Sequence, residues 1–354
     1  MAGAPPTPMR RLPNLFCAAA LLLPVVAAAA DLPAVLSRDT IAALSTSLAE
    51  AERRLGPVDP QLLAILDPLA QLQYRAAKID RATELRRRAL KIAVGAFGNE
   101  SVPAARAMIA LARLYIERQR YLDAEPLLIA AGNTLRGERH TESETLADIL
   151  TGRAAIDLAE GRHKCARKLA EEAVAIGAHD NSVTHRRAMR LLGTVLANDG
   201  EFATSENTLR RVLALDRSAN DGLGSARSLA ALGNAYLRQK RFAEALPLLE
   251  QAAEIDQSRL GPTHPVIADD LYGVGLADLG LGRSAEGRTV LRAAVDLLNR
   301  GAGRGTPALA YVELALARAD RQAGHNKEAQ SRFADAQRIL NAAADEDRER
   351  ERDI

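Results

Sequence analysis

The 354-residue sequence contains no tryptophan and only two cysteines, and aromatic residues make up just 3% of it. Two cysteines cannot build the disulfide framework on which small secreted domains depend. So few aromatic side chains also argue against the base-stacking surfaces of proteins that bind single-stranded nucleic acid. Hydrophobic residues nevertheless reach 47%, too many for a disordered chain. The sequence therefore predicts a folded chain whose core is aliphatic.

An excess of charge of either sign is also lacking. The chain has 47 basic and 45 acidic residues, a formal net charge of +2. The whole surplus lies in residues 1–30, which contain Arg10 and Arg11 and no acid. The rest of the chain is formally neutral and has no long basic run, so we do not expect it to bind nucleic acid.

The first thirty residues have the pattern of a secretory signal peptide. Arg10 and Arg11 precede an apolar run over 15–30, which ends in small residues before the polar Asp31. The alternative is an uncleaved membrane anchor, but the run of 16 residues falls short of the roughly 20 that span a bilayer. We therefore expect a bacterial protein exported to the periplasm or secreted, without stable membrane insertion after cleavage. Translation from Met9 instead of the first residue would fit the same pattern.

A ladder of turns divides the remainder of the chain at a nearly constant interval. Successive turns are 42, 42, 39, 40, 42 and 42 residues apart. Self-similarity at a period of 20–50 residues is typical of repeat proteins in which each unit stacks on the next. The turns begin at Lys78, Arg120, Arg162, Glu201, Arg241, Arg283 and His325.

Each unit has the pattern of two amphipathic helices, called helix A and helix B below. In the fifth unit, Leu229, Leu232 and Tyr236 lie on one helical face. A small residue recurs at one position of each helix, where we expect A and B to approach so closely that a large side chain would separate them. These positions are Ala70, Ala112, Ala154, Gly193, Gly233, Gly275 and Ala317 in helix A, and Ala82, Ala124, Ala166, Ser205, Ala245, Gly287 and Ala329 in helix B.

This pattern resembles the tetratricopeptide repeat, which reads W-x2-L-G-x2-Y and then A-x3-F. The fifth unit matches with Leu-Gly-x-x-Tyr at 232–236 and with Ala245. The period of about 42 residues and the strings LGPVDP at 55–60 and LGPTHP at 260–265 are similar to the longer repeats of kinesin light chains. No long heptad segment accompanies them, so the coiled coil of those motor subunits is lacking. The resemblance covers residues 59–342.

The resemblance implies an all-α fold, a right-handed superhelical solenoid of about seven helix–turn–helix repeats. We expect a signal peptide at 1–30, an N-terminal packing helix at 31–58, the solenoid at 59–342 and a charged tail at 343–354. The tail alternates charges without an apolar face, so it would keep the last repeat from stacking on another molecule. A monomer is expected.

Residues that could support catalysis or hold a metal form no convincing motif. The glycine pairs at 222–224 and 273–275 are fragments of a dinucleotide-binding pattern, but no strand precedes them, and we interpret the second pair as close-packing positions. His163 and Cys165 point about 200° apart on a helix, so they cannot share a metal ion. Cys165, one residue before the small Ala166, is expected to be partly buried. We predict a protein that is not an enzyme and has no cofactor.

The resemblance places the binding surface on the concave side, at helix A positions that flank the packed stripe. Asn234, directly after Gly233, matches the groove asparagine that in this family hydrogen-bonds the backbone of the ligand. The other positions are mainly arginine, and guanidinium groups bind carboxylates in pairs of hydrogen bonds, so we expect an acidic segment or a free C-terminal carboxylate. The predicted site residues are Asn234, Arg190, Arg227, Arg238, Arg187, Arg113, Arg106 and Thr194.

Two functions from different classes remain open at this point. The first is a non-catalytic scaffold or adaptor that binds a peptide or protein segment in the concave groove. The second is a structural or assembly component of a cell-envelope complex that uses its convex face or its ends. For the arginines themselves, the alternative to ligand binding is that they solvate a helix face or pair with carboxylates of a neighbouring repeat.

Overall fold

The computed structural model describes residues 34–135, 143–177, 181–300 and 305–352. The predicted signal peptide lies outside these ranges. Within them the chain forms helices and no strands, and the first helix, α1, runs from Ala34–Leu55. Gly56 follows with φ of 92°, and its N–H donates a hydrogen bond to the carbonyl of Glu52 (2.9 Å), which closes α1 at its C-terminus.

Seven helix–turn–helix pairs follow α1 in the described part of the chain, which confirms the predicted fold class. A short 3-10 turn, Pro60–Leu62, leads into the first pair. The A helices are α2 (Leu63–Arg75), α4 (Val102–Glu117), α6 (Ser143–Ala159), α8 (Val183–Asn198), α10 (Gly222–Arg238), α12 (Val266–Gly280) and α14 (Pro307–Gln322). The B helices are α3 (Ile79–Phe97), α5 (Tyr121–Leu135), α7 (His163–Ile176), α9 (Phe202–Ser218), α11 (Phe242–Leu260), α13 (Ser284–Arg300) and α15 (Asn326–Arg352).

Each A–B turn contains one residue with a left-handed backbone, one position before the turn residue predicted from sequence. Glycine adopts this conformation freely, whereas a residue with a side chain loses about 1–2 kcal/mol there. Four turns use glycine and three do not. The φ angles are 57° at Ala77, 58° at Gln119, 76° at Gly161, 83° at Gly200, 58° at Lys240, 79° at Gly282 and 86° at Gly324.

Replacing Lys240 by glycine is expected to raise the free energy of unfolding by about 0.5–1 kcal/mol, because relief of the strained backbone outweighs the added freedom of the unfolded chain. Lys240 is exposed, so little packing is lost. Urea unfolding followed by circular dichroism measures the change. Lys168→Gly, at an exposed position within α7, is the control and should destabilise by about 1 kcal/mol. A loss of stability in Lys240→Gly would contradict the strain argument.

The fourteen small positions are all buried, as predicted. A Cβ atom built on Gly193 would lie 2.6 Å from Leu209 Cγ, and one on Gly275 would lie 2.7 Å from Leu291 Cγ. Neither distance leaves room for a side chain, so these residues set the spacing between helices A and B. Cys165 is exposed, and the expectation of partial burial was wrong, because one residue along a helix is a rotation of about 100° away from the buried Ala166.

The solenoid curls until its first and later repeats touch. His264, in the loop between α11 and α12, packs edge-to-face on Tyr74 at the end of α2, with ring centroids 5.0 Å apart. The His264 Nε2 atom lies 3.0 Å from the Tyr74 carbonyl oxygen. Further contacts join α1 to α11 and α5 to α15. The concave side is therefore enclosed as a cavity, called the central cavity below.

Candidate functional site

The central cavity has two adjoining regions lined largely by A helices. The larger region has a volume of about 450 Å³ and the smaller one about 220 Å³. Tyr74, Glu117 and Arg227 line both regions, so the two are continuous. Their volumes are within or close to the range of sites that bind small ligands or short chain segments.

The larger region is positively charged. Its lining contains five arginines and only two carboxylates. The enclosed, low-dielectric surroundings strengthen the field of these charges compared with an open surface. The arginines are Arg86, Arg113, Arg187, Arg190 and Arg227, and the carboxylates are Glu117 and Asp148.

One carboxylate serves two guanidinium groups at the centre of this wall. Arg187 Nη1 on α8 donates a hydrogen bond to Asp148 Oδ1 on α6 (2.7 Å), while Arg113 Nη2 on α4 donates to Asp148 Oδ2. Burial, together with the positive charge of Arg113, lowers the pKa of Arg187 to about 10 despite Asp148. The three side chains thus carry a positive charge that no carboxylate among them neutralises, and an anionic ligand would relieve it.

Arg227 is the most loosely held cation of the cavity. Its side chain is 42% exposed, and its Nη2 atom lies 3.8 Å from Glu117 Oε1, which is longer than a hydrogen bond. Glu117 in turn is hydrogen-bonded to the Tyr74 side chain, and burial together with this carboxylate raises the pKa of Tyr74 well above its ordinary value. Arg227 can therefore turn to a ligand carboxylate without breaking a short hydrogen bond.

Arg190 is already engaged between repeats. Its Nε atom donates to Ser228 Oγ (2.9 Å) and its Nη2 atom donates to Asp216 Oδ2 (2.9 Å). Only 13% of the side chain is exposed. The same carboxylate also accepts from Arg186 Nε (2.8 Å), a residue that the groove pattern did not single out. Arg190 and Arg186 thus pair with a neighbouring repeat, which is the alternative role for the arginines.

The predicted site residues separate into two groups. Arg113, Arg187, Arg190, Arg227 and Thr194 line the larger region together. The Thr194 hydroxyl donates to the carbonyl of Arg190 (3.1 Å). The other three, Asn234, Arg238 and Arg106, are exposed and line neither region of the cavity in the described part of the chain. Ligand binding by all eight residues remains a prediction.

The sequence analysis missed Asp269, whose side chain is open to the smaller region. Burial within the cavity raises the pKa of Asp269 to about 6. The repeat register could have found it, because Asp269 follows Arg227 by 42 residues and occupies the same place on helix A. No such signal exists for the contact of Tyr74 with His264, which are 190 residues apart and meet only because the solenoid curls.

Metal and membrane sites were searched over the same described ranges. No group of three or more histidine, cysteine, aspartate or glutamate side chains there could hold a metal ion. No helix of that part is both long and apolar enough to span a bilayer.

Comparison with known proteins identifies the repeats. Residues 184–258 and 224–299 match the family model of the tetratricopeptide repeat. No curated protein matches the chain.

Solved structures match over a larger part of the chain. A Rap protein complexed with competence and sporulation factor is 12% identical, with 91% of this chain and 99% of that one covered and a TM-score of 0.59. Aspartyl phosphate phosphatase F from Bacillus subtilis is 11% identical, with coverages of 84% and 75% and a TM-score of 0.54. TPR-like repeats named as a kinesin light chain in Podosopora anserina are 21% identical, with coverages of 58% and 99% and a TM-score of 0.46. The chain contains tetratricopeptide repeats, and its fold is a tetratricopeptide repeat solenoid.

Proposed function

We propose that this solenoid is a non-catalytic scaffold that binds a protein or peptide segment in its central cavity through an acidic group of that segment. The observation that carries the proposal is the arrangement of Arg113 and Arg187 around the single carboxylate of Asp148, with Arg227 loosely held nearby. Together these residues offer positive charge that the protein leaves incompletely neutralised. Export to the periplasm or beyond stays part of the proposal and rests on the N-terminal sequence alone.

The shape of the site favours a narrow ligand. The contact of His264 with Tyr74 encloses the cavity, so a carboxylate at a chain end or on an extended segment fits better than a folded surface. A guanidinium group binds such a carboxylate through two parallel hydrogen bonds. The Rap protein of the same fold binds competence and sporulation factor, which shows that a solenoid of this kind can hold a ligand. The ligand chemistry proposed here rests on the arginines of this chain.

Charge reversal of the loosely held arginines tests the proposal. Arg113→Glu combined with Arg227→Glu should abolish capture of the partner, because two charge-assisted hydrogen bonds, each worth about 1.5–3 kcal/mol, are lost. The expected loss of affinity is about 100-fold or more. Asp148 keeps its hydrogen bond from Arg187, so the helical fold should remain. Capture is measured in cells by crosslinking from a photoreactive residue at Gln71, an exposed position that lines the cavity, followed by mass spectrometry.

A matched control carries the same change of charge elsewhere. Arg211→Glu combined with Arg338→Glu alters two exposed arginines of B helices and should leave capture unchanged. A second photoreactive position at the exposed Glu172 on α7 reports contacts of the outer face. Unchanged capture in the Arg113 and Arg227 variant would refute the proposal. Loss of crosslinks only from Glu172 would instead favour an assembly role for the convex face.

A further inference from the structure

Two neighbouring joints of the solenoid bury a carboxylate at the same place. Asp216 on α9 and Asp256 on α11 each follow the small residue of their B helix by eleven positions. Both are buried, with 0% and 3% of the residue exposed. Each faces the A helix of the next repeat. The two joints therefore pose the same electrostatic problem, but their surroundings differ.

The first of these joints neutralises its carboxylate with cations. Asp216 accepts hydrogen bonds from Arg186 Nε (2.8 Å) and Arg190 Nη2 (2.9 Å), and from Ser228 Oγ on α10 (2.6 Å). Two guanidinium groups and a hydroxyl satisfy both carboxylate oxygens. An ionised Asp216 is thus fully compensated inside the protein.

The second joint lacks all three of these partners. One repeat later, Ala226 and Ala230 stand at the places of Arg186 and Arg190. The place of Ser228 is taken by Asp270 on α12, which is 4% exposed and hydrogen-bonded to Asp256. In the part of the chain that the structure describes, Asp270 Oδ2 has no hydrogen-bond partner.

Two carboxyl groups in this position cannot both be ionised. Burial, followed by the charges of Asp256 and Asp269, raises the pKa of Asp270 to about 8. Burial also raises the pKa of Asp256 to about 6, against the opposite effect of Arg227 on α10. Arg227 and Asp269 are the charged groups that act on the pair. At neutral pH the pair therefore holds one proton, which completes the hydrogen bond between the two carboxyl groups.

The same joint contains the loop that closes the central cavity. Asp256 lies on α11 and Asp270 on α12, and the loop between these helices carries His264 to Tyr74. We propose that the proton shared by Asp256 and Asp270 holds this joint together, and that its loss loosens the contact of His264 with Tyr74 and opens the central cavity. This regulation needs no ligand, so it stands independently of the binding function.

His264 itself is not the switching group on the alkaline side. Burial lowers its pKa to about 4, and its Nδ1 atom lies 3.3 Å from the N–H of Val266, from which it accepts a hydrogen bond. The ring therefore stays neutral between pH 6 and pH 9. A change in closure over that interval reports on the carboxyl pair.

The direction of the pH dependence follows from the raised pKa. An aspartate in an unfolded chain titrates near 3.9, so the folded chain holds this proton to higher pH than the unfolded chain does. The stabilisation is complete below about pH 4 and is lost as the pH rises towards 8. We expect a melting temperature lower by about 4 °C or more at pH 9 than at pH 6. The contact of His264 with Tyr74 should weaken over the same interval.

The opening is measured as a distance between two labels, one on each side of the contact. Cysteines replace the exposed Lys78 and Thr263 in a chain whose Cys17 and Cys165 are changed to serine, and paired spin labels report their separation. At pH 6 the distance distribution should be single and short. At pH 9 a longer and broader population should appear.

Asparagine variants decide whether the carboxyl pair is responsible. In Asp270→Asn the amide donates the hydrogen bond permanently, so the label distance and the melting temperature should no longer change between pH 6 and pH 9. Asp256→Asn should behave alike, which covers the case that one variant fails to fold. Asp216→Asn, at the matched position of the cation-neutralised joint, should keep the pH response. The proposal fails if the unaltered chain shows no opening, or if Asp270→Asn still opens at pH 9.

Discussion

Replacing Asp216 by alanine is expected to lower the free energy of unfolding by about 3–5 kcal/mol. Asp216 is 0% exposed and accepts hydrogen bonds from Arg186, Arg190 and Ser228. Only 5% of the Arg186 side chain is exposed, so removal of the carboxylate leaves a buried positive charge with just the 3.1 Å contact to Asp221 and a backbone carbonyl as partners. The joint between the fourth and fifth repeats should open first.

Urea unfolding combined with hydrogen exchange measures this effect and locates it. Protection should fall first in α9 and α10, because repeat proteins unfold through their weakest interface. Glu84→Ala is the control, since Glu84 pairs with Arg81 at the surface, where both side chains are about 60% exposed. Such exposed pairs contribute little, so no measurable loss is expected. A similar stability for Asp216→Ala and Glu84→Ala would contradict the role given to the buried network.

The second large effect is expected at Leu249, which fills the space between three helices. A Cβ atom on Gly233 of α10 would lie 2.7 Å from Leu249 Cγ, and one on Gly273 of α12 would lie 3.0 Å from Leu249 Cδ2. The leucine is 1% exposed, so its truncation leaves a cavity at both contacts. Leu249→Ala should destabilise the protein by about 2–5 kcal/mol.

A double-mutant cycle makes the prediction sharper, because the sign of one substitution should reverse. Gly233→Ala alone forces its new methyl group into Leu249 and should cost about 1–3 kcal/mol. In the Leu249→Ala background that clash is gone, and the same change should stabilise by up to about 1 kcal/mol through the better helix propensity of alanine. Urea unfolding of the four proteins gives the coupling energy.

Gly95 on α3 provides the reference for helix propensity alone. A Cβ atom there would meet no atom within 4 Å, so Gly95→Ala should stabilise the chain by about 0.5–1 kcal/mol without any packing change. If Gly233→Ala were destabilising to the same degree with and without Leu249, the contact between these residues would not be what requires glycine at position 233.

The sequence predicted the repeats and their local geometry well, for a physical reason. The period is a property of neighbouring residues, and helix pairs of one repeat contact mainly the next repeat. The small residue at Ala112 and the left-handed turn after α4 at Gln119 therefore follow from local pattern. The register also contained the position of Asp269, which was overlooked. The exposure of Cys165 was missed because the face of a helix was judged from one neighbour.

The state of individual arginines was harder to predict. Arg190 and Arg227 occupy comparable groove positions in successive repeats, yet one is tied to Asp216 and the other lies open to the cavity. That difference depends on the neighbouring repeat. Asp216 lies within reach of Arg190, while Arg227 has only Glu117 of a distant repeat at 3.8 Å. Residue type and spacing within one repeat contain neither fact.

The sequence by itself determined the fold class, the seven repeats, the residues that set the spacing of each helix pair and the basic character of the concave side. Only the tertiary structure decided that the solenoid closes on itself through His264 and Tyr74, and that Asp270 takes the place of the cations that neutralise Asp216. Closure adds up small rotations over many repeats. The pairing of charges joins residues on different repeats, so neither can be obtained from a pattern that describes one repeat at a time.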